Sequence, residues 1–72
     1  MPDPELLAEV ALLRDLPEQG LVRGQVGTVV ELLSPDAAEV EFCDNQGRTY
    51  ATAALRFEDL GRLRRSPLEQ VA

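Results

Sequence analysis

The sequence predicts an all-β fold, a small antiparallel barrel of four to five short strands with one short helical or 3-10 turn near residues 56–60. Three observations point there. The β-branched run "TVVELL", Thr28 to Leu33, reads as a strand. The stretch "AEVEF", Ala38 to Phe42, alternates strictly, with Ala38, Val40 and Phe42 on one face and Glu39 and Glu41 on the other. Turn signals at "SPDAA" and "DNQG" then separate these strands from each other and from the returning "RTYATA".

In chain order, "DPELLAEVALLRDL" supports two readings. Asp3 and Pro4 can start a helix, and Leu, Ala and Glu favour one. Against this, Val10 and Leu12 can face one way while Glu9 and Ala11 face the other, and Pro17 stops a helix before Leu16. We take Ala8 to Arg14 as a strand preceded by a helical turn over residues 4–7. From Asp15 to Gly27, Pro17, Gly20, Gly24 and Gly27 mark a structured loop with tight turns, pinned by inward-tucked Leu16 and Leu21. Ser34 to Ala38 turns the chain at Pro35, and Gly47 takes the left-handed position of the Asp44–Gly47 hairpin loop. Arg48 to Ala53 is the partner strand of that hairpin. Phe57, Leu60 and Leu63, spaced by three, suit a 3-10 turn and a short closing strand. Residues 1–7 are thus an N-terminal extension, 8–63 the barrel domain and 64–72 a flexible C-terminal tail. The size fits an SH3-like barrel better than a five-strand oligonucleotide-binding barrel, and closure would remove the exposed sheet edges.

Composition restricts function. A chain of 72 residues makes a single domain that buries only about 60% of its unfolded surface, too little for a large active-site cleft. Thirteen acidic residues against seven basic ones give a net charge of −6, which opposes nucleic acid and anionic membranes alike. No apolar stretch reaches the roughly 20 residues of a membrane span, and the acidic start is unlike a secretory signal. The single cysteine, Cys43, cannot form an intramolecular disulfide, and a cytoplasmic protein is expected.

The order "VALLRDLPEQGLVRGQVGTVVELL", then "AEVEFCDNQGRTYATAAL" and a last Leu, resembles a family of short bacterial proteins known as domain of unknown function 4926. The shared features are a Val-Ala-Leu strand leading into Asp-Leu-Pro, Gly-Leu, a glycine-spaced Gly-Thr-Val-Val and Glu-Val-Glu-Phe, and they extend from about Ala8 to Leu63. The resemblance implies an SH3-like β fold and no established activity. A weaker likeness covers "RGQVGTVVE", Arg23 to Glu31, which is similar to the glycine turn of KOW-type SH3-like domains. Those modules contact RNA or protein.

Little catalytic chemistry is present. "GLVRGQVG" lacks the strand-loop-helix context and closing Lys of a phosphate cradle, so its glycines are read as turn formers. There is no histidine to act as general base or ligand. Glu41 and Asp44 beside Cys43 blunt a thiolate. Glu39, Glu41 and Asp44 read as carboxylates solvating the outer face of a strand, and "DNQG" lacks the twelve-residue spacing of a calcium loop. No catalytic residue, metal or cofactor is expected. Charge placement says more: Glu31, Asp36, Glu39, Glu41 and Asp44 crowd residues 31–44 without one basic residue, whereas Arg56, Arg62, Arg64 and Arg65 gather near the C-terminus.

The expected function is therefore a non-enzymatic module that binds another protein through a basic surface on that partner. It would act as an antitoxin-like or immunity-like mask, or as an accessory subunit. Candidate contacts are Glu39, Glu41 and Asp44, with Leu21, Val22 and Arg23 exposed beside the glycine loop. The alternative is a KOW-like nucleic-acid module using Arg56, Arg62, Arg64 and Arg65. Self-association is a third option.

Overall fold

A computed structural model describes residues 4–63. Five strands, β1 (Glu9–Leu12), β2 (Val26–Ser34), β3 (Ala37–Cys43), β4 (Thr49–Arg56) and β5 (Leu60–Arg62), are joined with two 3-10 turns, Pro17–Gln19 and Phe57–Asp59. All pairings are antiparallel, in one sheet of order β4-β3-β2-β1-β5. The all-β class, the strand number and the turn near residues 56–60 are as expected.

Closure is not. Among the described residues β4 and β5 do not pair, so the sheet is not closed into a barrel and its two edges remain. The reason lies in the β4–β5 connection. Phe57 of the 3-10 turn packs a side chain against the core, and Leu16 and Leu21 of the long loop join the same cluster. Side chains cover this core where a backbone ladder was expected to.

The N-terminal extension contains a turn at residues 6 and 7 in place of a helical turn. The Ala8 N–H donates to the Glu5 carbonyl at 3.0 Å and the Leu7 N–H donates to Val29 O at 2.7 Å. Leu7 adopts φ 68, which ends any helix there. Alternation overrides helix propensity in β1 because Val10 and Leu12 are fully enclosed while Glu9 and Ala11 are only half-buried. Leu16 and Leu21 exchange backbone hydrogen bonds of 2.8 and 3.1 Å, closing the loop on itself. Strands β2 and β3 run further into their turn than expected, leaving only Pro35 and Asp36 between Ser34 and Ala37. The Asp44–Gly47 hairpin loop forms as expected, with Gly47 at φ 82.

One face of the sheet wraps a cluster that includes Val10, Leu12, Val29, Ala38, Val40, Phe42, Ala53, Leu55 and Leu60. Phe42 is the largest fully buried side chain. Its register neighbours Gly27 and Ala51 are small, and Val10 lies beyond Gly27 in the same row. Gly27 is therefore not a turn former but a residue inside β2. A Cβ there would lie 2.7 Å from Val40 Cγ1, 2.9 Å from the Glu41 carbonyl oxygen and 3.0 Å from Phe42 Cδ2. Two of these neighbours are buried core side chains and the third is backbone, so none yields without disturbing the ladder. Gly27→Ala is expected to destabilise the domain by about 1–3 kcal/mol, read as a lower urea midpoint with unchanged slope. An unchanged midpoint would show that Phe42 and Val40 do not need that space.

Candidate functional site

The core-facing alternation leaves the other set of side chains on the outer face of the sheet. Register places Glu9, Thr28, Glu41 and Thr52 in one row across β1, β2, β3 and β4. A second row holds Glu31, Glu39 and Ala54. Glu39 and Glu41, singled out from their spacing, thus share a face with Glu9 and Glu31. Glu9 was legible as the outward partner of Val10. Its place beside Thr28 was not, because register depends on pairing across the long loop.

Glu31 and Glu39 are direct cross-strand partners, placed by the irregularity between Val29 and Glu31. Like charges so placed, with Cβ atoms about 5 Å apart, repel. Among the described residues neither has a hydrogen-bond or ion-pair partner. Glu41 accepts a hydrogen bond from the Thr49 hydroxyl at 2.9 Å but pairs with no cation among the described residues.

Three of the five described arginines are engaged elsewhere. Arg14 contacts Asp59 at 2.8 Å, Arg48 contacts Asp44 at 3.3 Å and Arg62 contacts Glu5 at 2.8 Å. The hydrogen bond from Arg14 holds the Asp59 carboxyl below its ordinary range, aided by the Arg14 charge and opposed by partial burial. The same contact raises Arg14.

Asp44 does not belong to the acidic face. Its carboxylate accepts from the backbone N–H groups of Gln46 at 2.8 Å and Arg48 at 3.0 Å, and from Arg48 Nε at 3.3 Å. The Arg48 and Gln46 backbone bonds lower its pKa. It is a turn-forming aspartate, a role these residues take because a short carboxylate reaches the N–H groups that follow it.

Leu21 takes the inward of its two expected roles, anchoring the loop beside Leu16, and is not an exposed contact. Only 2% of it is accessible, because its bridge to Leu16 turns it into the core. Val22 and Arg23 are exposed, and their N–H groups donate to Gln25 Oε1 at 2.6 Å and Asp15 Oδ1 at 2.8 Å. Of the alternative arginines, Arg56 is exposed, Arg62 is held by Glu5, and Arg64, Arg65 and the tail 64–72 lie outside the described residues.

A shallow depression of about 340 Å³ lies beside the acidic row, lined by residues including Glu5, Glu9, Thr28 and Arg62. Among the described residues no three carboxylates or thiols form a set that could hold a metal ion. No helix among them is long and apolar enough to cross a membrane. Cys43 is a free, exposed thiol with Thr49 Oγ1 3.8 Å from its sulfur.

No curated protein and no solved structure matches the chain. A family model does match, over residues 6–61, which takes in all five strands except the last residue of β5. The chain belongs to the family described as domain of unknown function (DUF4926).

Proposed function

We propose that this chain is a non-catalytic protein-binding module whose acidic outer sheet face docks on a basic surface of another protein, in the cytoplasm, where an exposed free thiol such as Cys43 is stable. One observation carries the reading: Glu31 and Glu39 oppose each other across β2 and β3 without a cationic partner among the described residues, while Arg14, Arg48 and Arg62 pair with other acids. Carboxylates in this arrangement repel in the free protein. A cationic surface would relieve that repulsion on binding and would also be drawn to it at long range. An antitoxin-like mask or an accessory subunit both use such a face.

The sequence offers a direct test. It contains no lysine. Zero-length carbodiimide coupling joins carboxylates to amines, so a cross-link from this chain to a lysine identifies another protein. Coupling in native extract, followed by peptide mass spectrometry, is expected to place the cross-links on Glu31, Glu39 and Glu41. Cross-links confined to acids away from this face, such as Glu18 and Glu58, would contradict the reading. So would tight, steeply salt-dependent binding of labelled RNA or DNA lost with Arg62→Ala, Arg64→Ala and Arg65→Ala.

A further inference from the structure

Among the described residues, strand β4 is a free sheet edge. It lies at one end of the strand order and runs eight residues, Thr49–Arg56. Its partner-facing and outward-facing backbone groups can be told apart. The Phe57 N–H donates to Asp36 O at 2.9 Å, which makes those two residues a hydrogen-bonded pair in line with the β3–β4 register. Hydrogen-bonded and non-hydrogen-bonded pairs alternate along an antiparallel ladder, and the register runs unbroken from Ala37 to Phe42. Ala53 and Leu55 therefore bond to β3, while Thr52 and Ala54 turn their N–H and C=O groups outward.

The usual protections of an edge are confined to the last residue of β4. Strand β4 contains no proline, and its one charged residue is Arg56 at its C-terminal end, after Ala54 on the outer face. The opposite edge differs, since β5 has only three residues. The side chains beside the open groups are small, and directly behind Thr52 and Ala54 on the same face stand Glu41 and Glu39.

We propose that β4 takes up an extended, lysine- or arginine-bearing segment of the partner protein as an added strand. Residues of that segment opposite Thr52 and Ala54 lie on the outer face, two strand spacings of about 4.8 Å from Glu41 and Glu39. Long cationic side chains there reach the carboxylates across the short Thr52 and Ala54 side chains. Main-chain bonds then supply affinity, and cations at alternate positions supply selectivity. A second copy is a poorer occupant, because joining two β4 edges flush sets two acidic faces side by side in molecules that each carry a net charge of −6. The proposal rests on the docking reading above and specifies its mode.

The test uses a capped peptide of alternating lysine and threonine, about eight residues long to match a typical strand, with an alternating glutamate–threonine peptide as control. The lysine peptide is expected to slow amide exchange at Thr52 and Ala54 by about tenfold or more at saturation. N-methylation of alternate peptide residues in one phase abolishes this effect, and in the other phase does not. Glu39→Gln with Glu41→Gln weakens binding by about tenfold. Ala54→Pro removes only an outward N–H and also abolishes strand addition, and the N-methylated peptides give the same answer should that variant not fold. Binding that depends on Glu39 and Glu41 but leaves exchange at Thr52 and Ala54 unchanged overturns strand addition and leaves the docking reading standing. Absence of binding, or binding indifferent to both carboxylates, overturns both. Protection of these amides without peptide, growing with protein concentration, assigns the edge to a second copy and overturns the proposal.

Discussion

Phe42→Ala is expected to leave the chain largely unfolded. Removing a buried phenylalanine costs about 3–5 kcal/mol, and a domain of this size holds only about 3–5 kcal/mol from a single core. Phe42 is 1% exposed and fills the space that Gly27 and Ala51 leave on either side of it. Few side chains stand ready to collapse into the void. Gly27 has none, and the Tyr50 ring, centred 6.5 Å away and tilted by 43°, belongs to a half-exposed residue held by Gln25 Nε2 at 2.8 Å. Circular dichroism and amide-proton dispersion should show loss of the sheet. A variant that melts cooperatively at the wild-type midpoint would show that Phe42 is not the centre of this core.

The double substitution Glu39→Lys with Glu41→Lys is expected to move folding and binding in opposite directions. At position 39 the new cation faces Glu31, so a repulsive cross-strand pair becomes an attractive one and stability rises by about 0.2–1 kcal/mol. At position 41 the hydrogen bond from Thr49 is lost, which offsets part of that gain. Neither side chain supports the core, since both point to the outer face. Binding to a basic surface should weaken sharply, because reversed charges repel where the native ones attract. A variant that is as stable as the parent yet fails to bind separates a docking role from a structural one.

Some of this was readable before any fold was known. "AEVEF" fixes its own inward and outward faces, and the alternation holds in β3, where Ala38, Val40 and Phe42 are buried. The hairpin at Asp44 to Gly47 was equally local, since a left-handed glycine and a carboxylate accepting nearby N–H groups are short-range devices. What sequence spacing misses is register. Gly27 reads like its neighbour Gly24, but Gly24 has φ 93 while Gly27 lies in β2, where its lack of a Cβ makes room for Val40 and Phe42. The same blindness left Glu9 out of the acidic set and hid that Glu31 stands directly opposite Glu39, and it credited Asp44 to a face it does not share. Leu21 showed the limit in another way: a leucine among glycines suits either an exposed tip or an inward anchor, and only its bridge to Leu16 decides. Closure of the sheet was a property of β4 and β5 together, and neither strand's own residues encode it.

On the proposed function, the Glu39–Glu41 face recruits a cationic protein surface. The most direct measurement of this recruitment is the association rate with the protein whose lysines cross-link to that face, for the parent and for the Glu39→Lys, Glu41→Lys variant, at low and high salt. Association of the variant is expected to be about 10- to 100-fold slower at low salt, with the two rates converging as salt screens the field. Equal rates at low salt, with the variant folded, would contradict the proposed function.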